Sequence, residues 1–352
     1  MMENFIKLSK RAINKGKLAV IYLRRIIFVK NNFHVSLPHK LRANLFGGYL
    51  ADQYVLYGFQ HNDRREYLSE YDWYRSRYIN EPFEFLLNNK IACTQILQQY
   101  IDVPKIFVIK HGGIFSSYEK ALLSVNEVLE IVKANKRVFI KPYGKGKGTG
   151  VQRLGWEKGS WIIDDLLVHE ADIRRLLEET DEWIICQNVE QGEFSRGLYD
   201  RTANTIRMIT VRDIHTQQFR IMFAVQRIGT SETIPVDNGS RGGLVCNIDL
   251  ETGMLSEARS LHSLEVHECH PDSGTQLKGA VIPEWNRIKQ QILKVAAKFP
   301  YMYFIAWDLV LTDSGICIIE ANASSGVNII QLWGGQRHGE LGDFYRYHGV
   351  NV

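Results

Sequence analysis

The sequence predicts an α+β protein in which helices are segregated from runs of strands. Roughly the first 80 residues are typical of helices, whereas short apolar runs that indicate strands dominate from residue 102 onwards. A hydrophobic fraction of 45% and a charged fraction of 23% over 352 residues are globular values, sufficient for a large core and two or three domains. Disordered, collagen-like and low-complexity classes are therefore excluded.

The overall charge and the cysteines limit the class of protein further. A net charge of +4 is too small to indicate nucleic-acid binding by itself. The five cysteines are odd in number and form no C-x-x-C pair, which indicates a reducing compartment. The sequence has no apolar run near the ~18 residues of a membrane span and no signal-peptide pattern. We therefore expect a cytoplasmic protein that binds no nucleic acid.

Positive charge is concentrated at the start of the chain. Residues 1–46 contain ten Lys or Arg and one Glu, a balance of +9 that leaves −5 for the rest of the chain. Apolar residues are interleaved with these cations, and a basic amphipathic helix can lie on an anionic membrane surface. The alternative is a helix that packs on its own protein and keeps its lysines in water.

The remaining elements follow from local patterns. Glu81-Pro82 opens a predicted helix that runs to about Tyr100, a strand is predicted over 102–109, and Ser117 is a candidate cap for the next helix. Further strands are predicted over 137–141, 183–187, 205–212 and 219–225. An amphipathic helix over 284–299 then precedes two final strands over 303–311 and 316–320.

A glycine-rich loop directly follows the strand that ends at Lys141. Its sequence, YGKGKGTG over residues 143–150, contains four glycines and two lysines. Glycine lets backbone N–H groups converge on an anion, although the spacing fits neither the P-loop nor the dinucleotide fingerprint. A surface turn is the alternative. Because a lysine at the end of a buried strand needs an anionic partner, a nucleotide phosphate would suit this position.

The last two strands predict a pair of facing carboxylates. A three-residue hairpin loop over 313–315, with Gly315 in the left-handed conformation, places Thr312 opposite Ile316. The same register places Asp308 directly opposite Glu320, where two like charges repel. A divalent cation between the two carboxylates would make this arrangement favourable.

A third oxygen ligand lies on the same face of the final strand. Asn322 is two residues beyond Glu320, and alternate residues of a strand point to the same side. Two carboxylates and an amide oxygen suit Mg²⁺ or Mn²⁺. The sequence therefore predicts a metal site made by Asp308, Glu320 and Asn322, with an exposed acidic edge as the alternative.

Together these segments resemble the ATP-grasp superfamily, and most of all the branch called sugar-transfer-associated ATP-grasp proteins. The resemblance covers about residues 85–335 and rests on Asn89-Lys90, Lys141-Pro142, Trp183–Gln187, Asn204–Arg207, Asn238–Gly243, His270–Gly274, Asp308 and Glu320–Asn322. It implies an ATP-grasp fold, in which two α+β subdomains at 85–190 and 191–352 clasp ATP. A mostly helical, basic region over residues 1–84 precedes them.

The resemblance also implies roles for single residues. Arg207 and Arg241 would steady the transferring phosphoryl group, and Asp308, Glu320 and Asn322 would hold Mg²⁺. ATP would be bound by Lys90, Lys141, Gly144, Lys145, Gly146, Gly148, Gln187, Asn188, Val189 and Glu193, with Glu190 as the alternative to Glu193 at the ribose. Family members often carry Glu where this chain has Gln187.

The activity implied by the resemblance is an ATP-dependent ligation of a carboxylate to an amine through an acyl phosphate. The name of the branch associates it with cell-surface polysaccharide or glycoconjugate modification. A phosphotransferase acting on a hydroxyl would use the same ATP and metal residues. A non-catalytic nucleotide-binding partner of a glycosyltransferase complex is the third alternative.

Three histidines and a cysteine lie close together in the sequence and form a candidate zinc site. His262, His267, Cys269 and His270 do not follow a standard zinc spacing, so a polar substrate loop is the preferred interpretation. Cys186 and Cys317 lie within apolar strands and are predicted to be inert core residues.

Overall fold

Two seven-stranded antiparallel sheets organise the chain in the computed structural model, which describes residues 16–120, 122–144 and 150–352. The first sheet contains β1 Ile106–His111, β2 Ile114–Ser116, β3 Arg137–Pro142, β4 Gln152–Glu157, β5 Ser160–Ile163, β6 Leu166–Val168 and β7 Trp183–Gln187. Its strand order is β2-β1-β7-β3-β4-β5-β6. The core between this sheet and its helices includes Val128, Val132 and Ile173, all with no exposed surface.

The second sheet is formed by the later part of the chain. It contains β8 Ile206–Arg212, β9 Phe219–Ile228, β10 Leu244–Ile248, β11 Leu255–Ser260, β12 Val266–His267, β13 Phe304–Thr312 and β14 Gly315–Asn322. Its strand order is β12-β11-β10-β9-β8-β13-β14, so β8 and β13 lie towards one side of the sheet with β14 at the edge. Trp307 and Ile292 are fully buried in the core beneath it.

Ten α-helices that lie wholly within the described part of the chain accompany the sheets. They are α1 Leu37–Gly47, α2 Ala51–Leu56, α3 Glu70–Ser76, α4 Phe85–Asn88, α5 Lys90–Leu97, α6 Val125–Asn135, α7 Glu170–Glu179, α8 Glu193–Leu198, α9 Trp285–Ala296 and α10 Glu340–Tyr347. Residues 16–22 are also helical and continue into a π-helical turn, Leu23–Ile27. Over residues 16–120, 122–144 and 150–352, every helix is too short or too polar to cross a bilayer.

The N-terminal helical region packs against the end of the chain. The side chain of Gln331 accepts a hydrogen bond from Leu68 N at 2.7 Å and donates one to Leu68 O at 2.9 Å. Arg337 donates to the buried carboxylate of Asp72 at 2.8 Å. These contacts fix the region against the second sheet, whose Ile209 shares a hydrophobic cluster with Leu68. The division at residues 84 and 190 stays a prediction.

The segregation of helices and strands confirms the α+β class, but two helix starts differ from prediction. The helix expected from residue 81 to about Tyr100 is divided into α4 and α5, because Asn89 is extended and caps the second helix. The helix expected to be capped by Ser117 begins after Ser124, whose hydroxyl accepts from Glu127 N at 3.3 Å. The carboxylate of Glu127 accepts in return from Ser124 N at 2.7 Å. This capping box explains why the helix begins after Ser124 and not after Ser117.

The final hairpin has the predicted carboxylate pair but a different turn. Thr312 pairs with Gly315 around a two-residue turn, so the three-residue loop was wrong. Gly315 has the positive φ that favours glycine, 147°, but it is the first residue of β14 and does not belong to the loop. A bulge next to Asp308 then shifts the register by one residue, and Asp308 pairs with Glu320 as predicted.

Candidate functional site

A cavity of about 120 Å³ lies between the two sheets. The first sheet contributes Phe139, Lys141, Cys186 and Gln187 to its lining, and the second contributes Arg227, Asp308, Val310, Ile319 and Glu320. Phe139 and Cys186 are direct partners in the pairing of β3 with β7. The cavity therefore combines an apolar part, which suits a flat ring, with a concentration of charge.

The charged part is built as a row across four neighbouring strands. Arg227 on β9, Arg207 on β8, Asp308 on β13 and Glu320 on β14 point to one side of the second sheet. Arg207 is the direct cross-strand partner of Asp308. Because facing positions of an antiparallel pair bring their side chains together, the register itself creates the ion pair.

Asp308 is enclosed by guanidinium groups. Arg207 donates to it through Nε at 2.5 Å and through Nη2 at 2.9 Å, and Arg227 Nη1 lies 3.4 Å from Asp308 Oδ1. Arg207 also donates to the hydroxyl of Ser325 at 3.2 Å. Arg207 does not line the cavity, whereas Arg227 and Asp308 do. The sequence prediction placed a metal ion between the acids, and in the structure these arginines balance the charge of Asp308.

Lys90 reaches the same cavity from the first turn of α5. The side chain of Asn89 caps this helix by accepting from Ile91 N at 3.0 Å and Ala92 N at 3.1 Å. The ammonium group of Lys90 lies 3.6 Å from Glu320 Oε1, and its side chain is 7% exposed. Its backbone N–H donates to Tyr143 O at 3.0 Å, which ties the helix to the segment after β3. Lys90 and Lys141 are thus brought to one cavity.

Asp237 and Arg227 are part of the site but were missed by sequence reasoning. Arg227 Nη2 lies 2.6 Å from Asp237 Oδ1, while Thr205 donates to Asp237 Oδ2 from its backbone at 2.7 Å and its hydroxyl at 2.5 Å. Asp237 is only 3% exposed. Asp237 directly precedes the Asn238–Gly243 segment, and this proximity was the one sequence feature that could have indicated its role. The surrounding loop lacks the periodic apolar pattern of a strand or helix, so its position could not be predicted.

Burial and charge act in opposite directions on these acids. Burial raises the pKa of Asp308, but Arg207, Arg227 and Lys90 outweigh it and hold the pKa below its ordinary value. At Asp237, in contrast, burial dominates and raises the pKa of this carboxyl despite Arg227 and Thr205. Asp308 is therefore a firmly ionised carboxylate that retains its arginine partners.

The segment predicted to contact adenine and ribose is only partly at the cavity. Gln187 and Val189 line it, whereas Asn188 donates to Glu190 at 3.0 Å in an exposed contact. The side-chain oxygen of Gln187 accepts from Lys105 N at 3.2 Å. Glu193 is exposed at the start of α8, where its N–H donates to Asp313 at 2.8 Å. Glu193 and the alternative Glu190 both lie outside the cavity lining.

The other predicted residues are placed as follows. Arg241 is exposed in a 3₁₀ turn, Gly239–Arg241, and is not part of the cavity lining. Asn322 pairs with Ala306, two residues beyond Glu320 on β14, also outside the lining. Gly144 is exposed after β3. Lys145, Gly146 and Gly148 lie outside the described residues.

The histidine and cysteine cluster has other partners. His270 is 1% exposed, and its Nδ1 accepts from the backbone of Asp272 at 3.2 Å while Nε2 contacts Gly229 O at 2.8 Å. Three or more His, Cys, Asp or Glu side chains do not converge on a metal position anywhere in the part of the chain that is described. Cys186 and Cys317 are buried, and burial raises the pKa of the Cys317 thiol to about 12.

Comparisons with known structures give distant matches. They include D-alanyl-alanine synthetase A from Vibrio cholerae, with 14% identity, a TM-score of 0.43 and coverage of 76% of this chain and 66% of that one. D-alanine–D-alanine ligase from Helicobacter pylori has 10% identity and a TM-score of 0.41 over 74% of this chain and 61% of that one. The Bacillus anthracis D-alanine–D-alanine ligase, solved with ATP, has 10% identity and a TM-score of 0.37, over 75% of this chain and 62% of that one. The chain thus spans less than two thirds of the length of these proteins.

Sequence families give a more specific result. The comparison with curated proteins gave no match. A family model described as sugar-transfer associated ATP-grasp matches residues 70–338, well over half of the chain. This match confirms the predicted resemblance and the ATP-grasp fold. The chain belongs to the sugar-transfer associated ATP-grasp family.

Proposed function

We propose that the protein is an ATP- and Mg²⁺-dependent carboxylate–amine ligase that acts through an acyl phosphate. The observation that carries the proposal is the convergence of Lys90, Lys141, Arg227, Asp308 and Glu320 on one cavity between the sheets. The family description, sugar-transfer associated, supports a carboxylate linked to a cell-surface polysaccharide or another glycoconjugate.

The charges of the cavity suit a triphosphate. Lys90, Lys141 and Arg227 line it together with three acids, and Arg207 adds a fourth cation next to them. The group therefore carries one excess positive charge before any ligand binds. Cations with fixed positions in a partly buried site attract phosphate oxygens more strongly than they would in water. The apolar lining, which includes Phe139, Val189 and Ile319, would cover the adenine ring.

The residues present fit a magnesium ion. Asp308 and Glu320 face each other across the hairpin and both line the cavity, and carboxylate oxygens are the ligands that Mg²⁺ prefers. When bound, the ion would supply positive charge beside the phosphate oxygens, and Asp308, Glu320 and Asn322 are the residues that would hold it. Arg207, paired with Asp308 through two hydrogen bonds, would fix the direction of that carboxylate.

The chemistry divides between activation and transfer. A carboxylate oxygen of the substrate attacks the γ-phosphorus of ATP, the bond to the bridging oxygen breaks, and ADP leaves with that electron pair. Arg227 and Lys141 would stabilise the charge that spreads over the phosphoryl oxygens. The amine nitrogen then attacks the acyl carbon, loses a proton to solvent and displaces inorganic phosphate. Asp237, which holds Arg227 at 2.6 Å, would act as a positioning residue.

A trapping experiment tests the proposal. The protein is incubated with ATP, Mg²⁺, pooled amino acids and sugar acids, and hydroxylamine in place of the natural amine. We expect ADP, phosphate and a hydroxamate, because hydroxylamine captures an acyl phosphate. The Glu320→Gln variant should form none of them. Formation of ADP and a phosphorylated product without a hydroxamate would indicate that the protein is a phosphotransferase and not a ligase. Binding of ATP without turnover of any acid would favour the non-catalytic alternative.

A further inference from the structure

The solvent-facing side of helix α1 is apolar, the reverse of the usual pattern for a surface helix. Leu37, Leu41 and Leu45 follow one another at a spacing of four residues and are 68%, 44% and 55% exposed, and Phe46 beside them is 71% exposed. The opposite side of the helix carries the buried Ala43 and Asn44. A surface helix normally buries its apolar stripe, so this exposed stripe indicates a surface that is covered when the protein functions.

The preceding helical segment extends the same surface. Tyr22 donates to Asn44 O, and the side chain of Asn44 donates to Ile26 O at 3.0 Å, which packs residues 16–27 against α1. Ile26 is fully buried by this packing. Val20, Leu23 and Phe28 nevertheless remain 52%, 51% and 77% exposed. We call these three residues, with Leu37, Leu41, Leu45 and Phe46, the N-terminal apolar surface.

Positive charge accompanies the N-terminal apolar surface. Residues 16–46 contain six Lys or Arg and no Asp or Glu. Lys17, Arg24, Arg25, Lys30 and Arg42 are exposed. This stretch has no acidic residue of its own to offset these exposed cations, so it presents a net positive charge.

We propose that the N-terminal apolar surface docks the protein on an anionic membrane. A bilayer with anionic lipids offers a negative surface for the cations and an apolar interior for leucine and phenylalanine side chains. Residues 1–15 add four Lys or Arg against one Glu, so the preceding sequence has the same sign of charge as this surface. A second copy in a two-fold arrangement would place like charges opposite each other.

Vesicle sedimentation with the full-length chain tests the proposal. We expect binding to phosphatidylcholine vesicles that contain phosphatidylglycerol, little binding to phosphatidylcholine alone, and weaker binding in high salt because the attraction is screened. The double variant Arg24→Gln/Arg25→Gln should bind about 30-fold more weakly, since each cation near a membrane contributes about fivefold. The double variant Leu41→Ser/Phe46→Ser should bind at least tenfold more weakly.

Matched controls distinguish docking through the N-terminal apolar surface from non-specific binding to vesicles. Leu166 and Leu167 on β6 are 70% and 77% exposed, and Leu166→Ser/Leu167→Ser should bind vesicles like the wild type. Lys294→Gln/Lys298→Gln removes two exposed cations elsewhere and should also leave binding unchanged. Absence of wild-type binding to anionic vesicles would overturn the proposal, as would equal losses in the controls. So would a Leu41→Ser/Phe46→Ser variant that retains vesicle binding but loses self-association in sedimentation velocity.

Discussion

At the scale of single residues, Arg207 and Asp308 form a largely buried ion pair beside the cavity. Their side chains are 16% and 6% exposed. Moving both charges out of water costs several kcal/mol per ion, which only close attraction and complete hydrogen bonding offset. Two hydrogen bonds between the groups, and further ones to Ser325 and Arg227, meet this requirement. The pair thus keeps a charged carboxylate in one position. Removal of either partner should lower the free energy of unfolding substantially.

The variant Asp308→Asn should therefore be markedly less stable than Glu320→Gln. Removing the charge of Asp308 leaves Arg207 without its buried partner, although Arg227 keeps Asp237, and we expect a loss of about 3 kcal/mol in the free energy of unfolding. The side chain of Glu320 is 24% exposed and its partner lies 3.6 Å away, so its neutralisation should cost about 1 kcal/mol. Urea unfolding at pH 7 measures both. Equal losses would show that Arg207 and Arg227 do not depend on Asp308.

At the scale of elements, the cap at Asn89 connects local stability to the site. It begins α5 and so fixes the position of Lys90, the first residue of the helix. Sequence reasoning placed one continuous helix here, opened by Glu81-Pro82. It did identify β3, β7 and the final hairpin, since each contains a run of three or more consecutive apolar residues. The bulge beside Asp308 depends on the packing of β13 between two neighbours and could not be read from either strand alone.

The variant Asn89→Ala should lose both stability and nucleotide affinity. Loss of an N-cap side chain costs about 1 kcal/mol, and the first turn with Lys90 would fray. Ser124→Ala removes the equivalent cap of α6, away from the cavity, and provides the matched control. We expect similar losses of stability in urea but weaker ATP binding only for Asn89→Ala. Equal ATP affinities of the two variants in calorimetry would show that the position of Lys90 does not affect nucleotide binding.

The capping box of α6 also predicts a pH dependence. A hydrogen bond from Lys120, with others from Ser124, lowers the pKa of Glu127 from its ordinary 4.5 to about 2. A carboxyl with a lowered pKa in the folded state stabilises the protein above its unfolded pKa. This contribution is lost as the pH falls from about 4.5 towards 2. The advantage of wild type over Glu127→Gln in urea unfolding should therefore decrease between pH 5 and pH 2, by about the full effect of the cap. A constant difference would contradict the lowered pKa.

At the scale of the whole molecule, the proposed site depends on contacts between residues that are distant in sequence. The cavity brings Lys90 and Lys141 from the first half of the chain to Arg227 and Asp308 from the second. The family resemblance predicted this convergence for Lys90, Lys141 and Asp308. It did not predict Arg227 and Asp237, whose roles depend on how a loop of irregular conformation folds back to Thr205. Local sequence patterns likewise could not predict the contact of Leu68 with Gln331, which fixes the N-terminal region.

The most direct test of the account is calorimetric binding of a non-hydrolysable ATP analogue with Mg²⁺. We predict one site in the wild type, the same affinity in Lys294→Ala, and at least tenfold weaker binding in Lys141→Ala. A charge-assisted contact to phosphate contributes about 1.5–3 kcal/mol, which is the basis of that factor. Absence of binding in the wild type, or equal affinity in both lysine variants, would contradict the assignment of the cavity between the sheets as the nucleotide site.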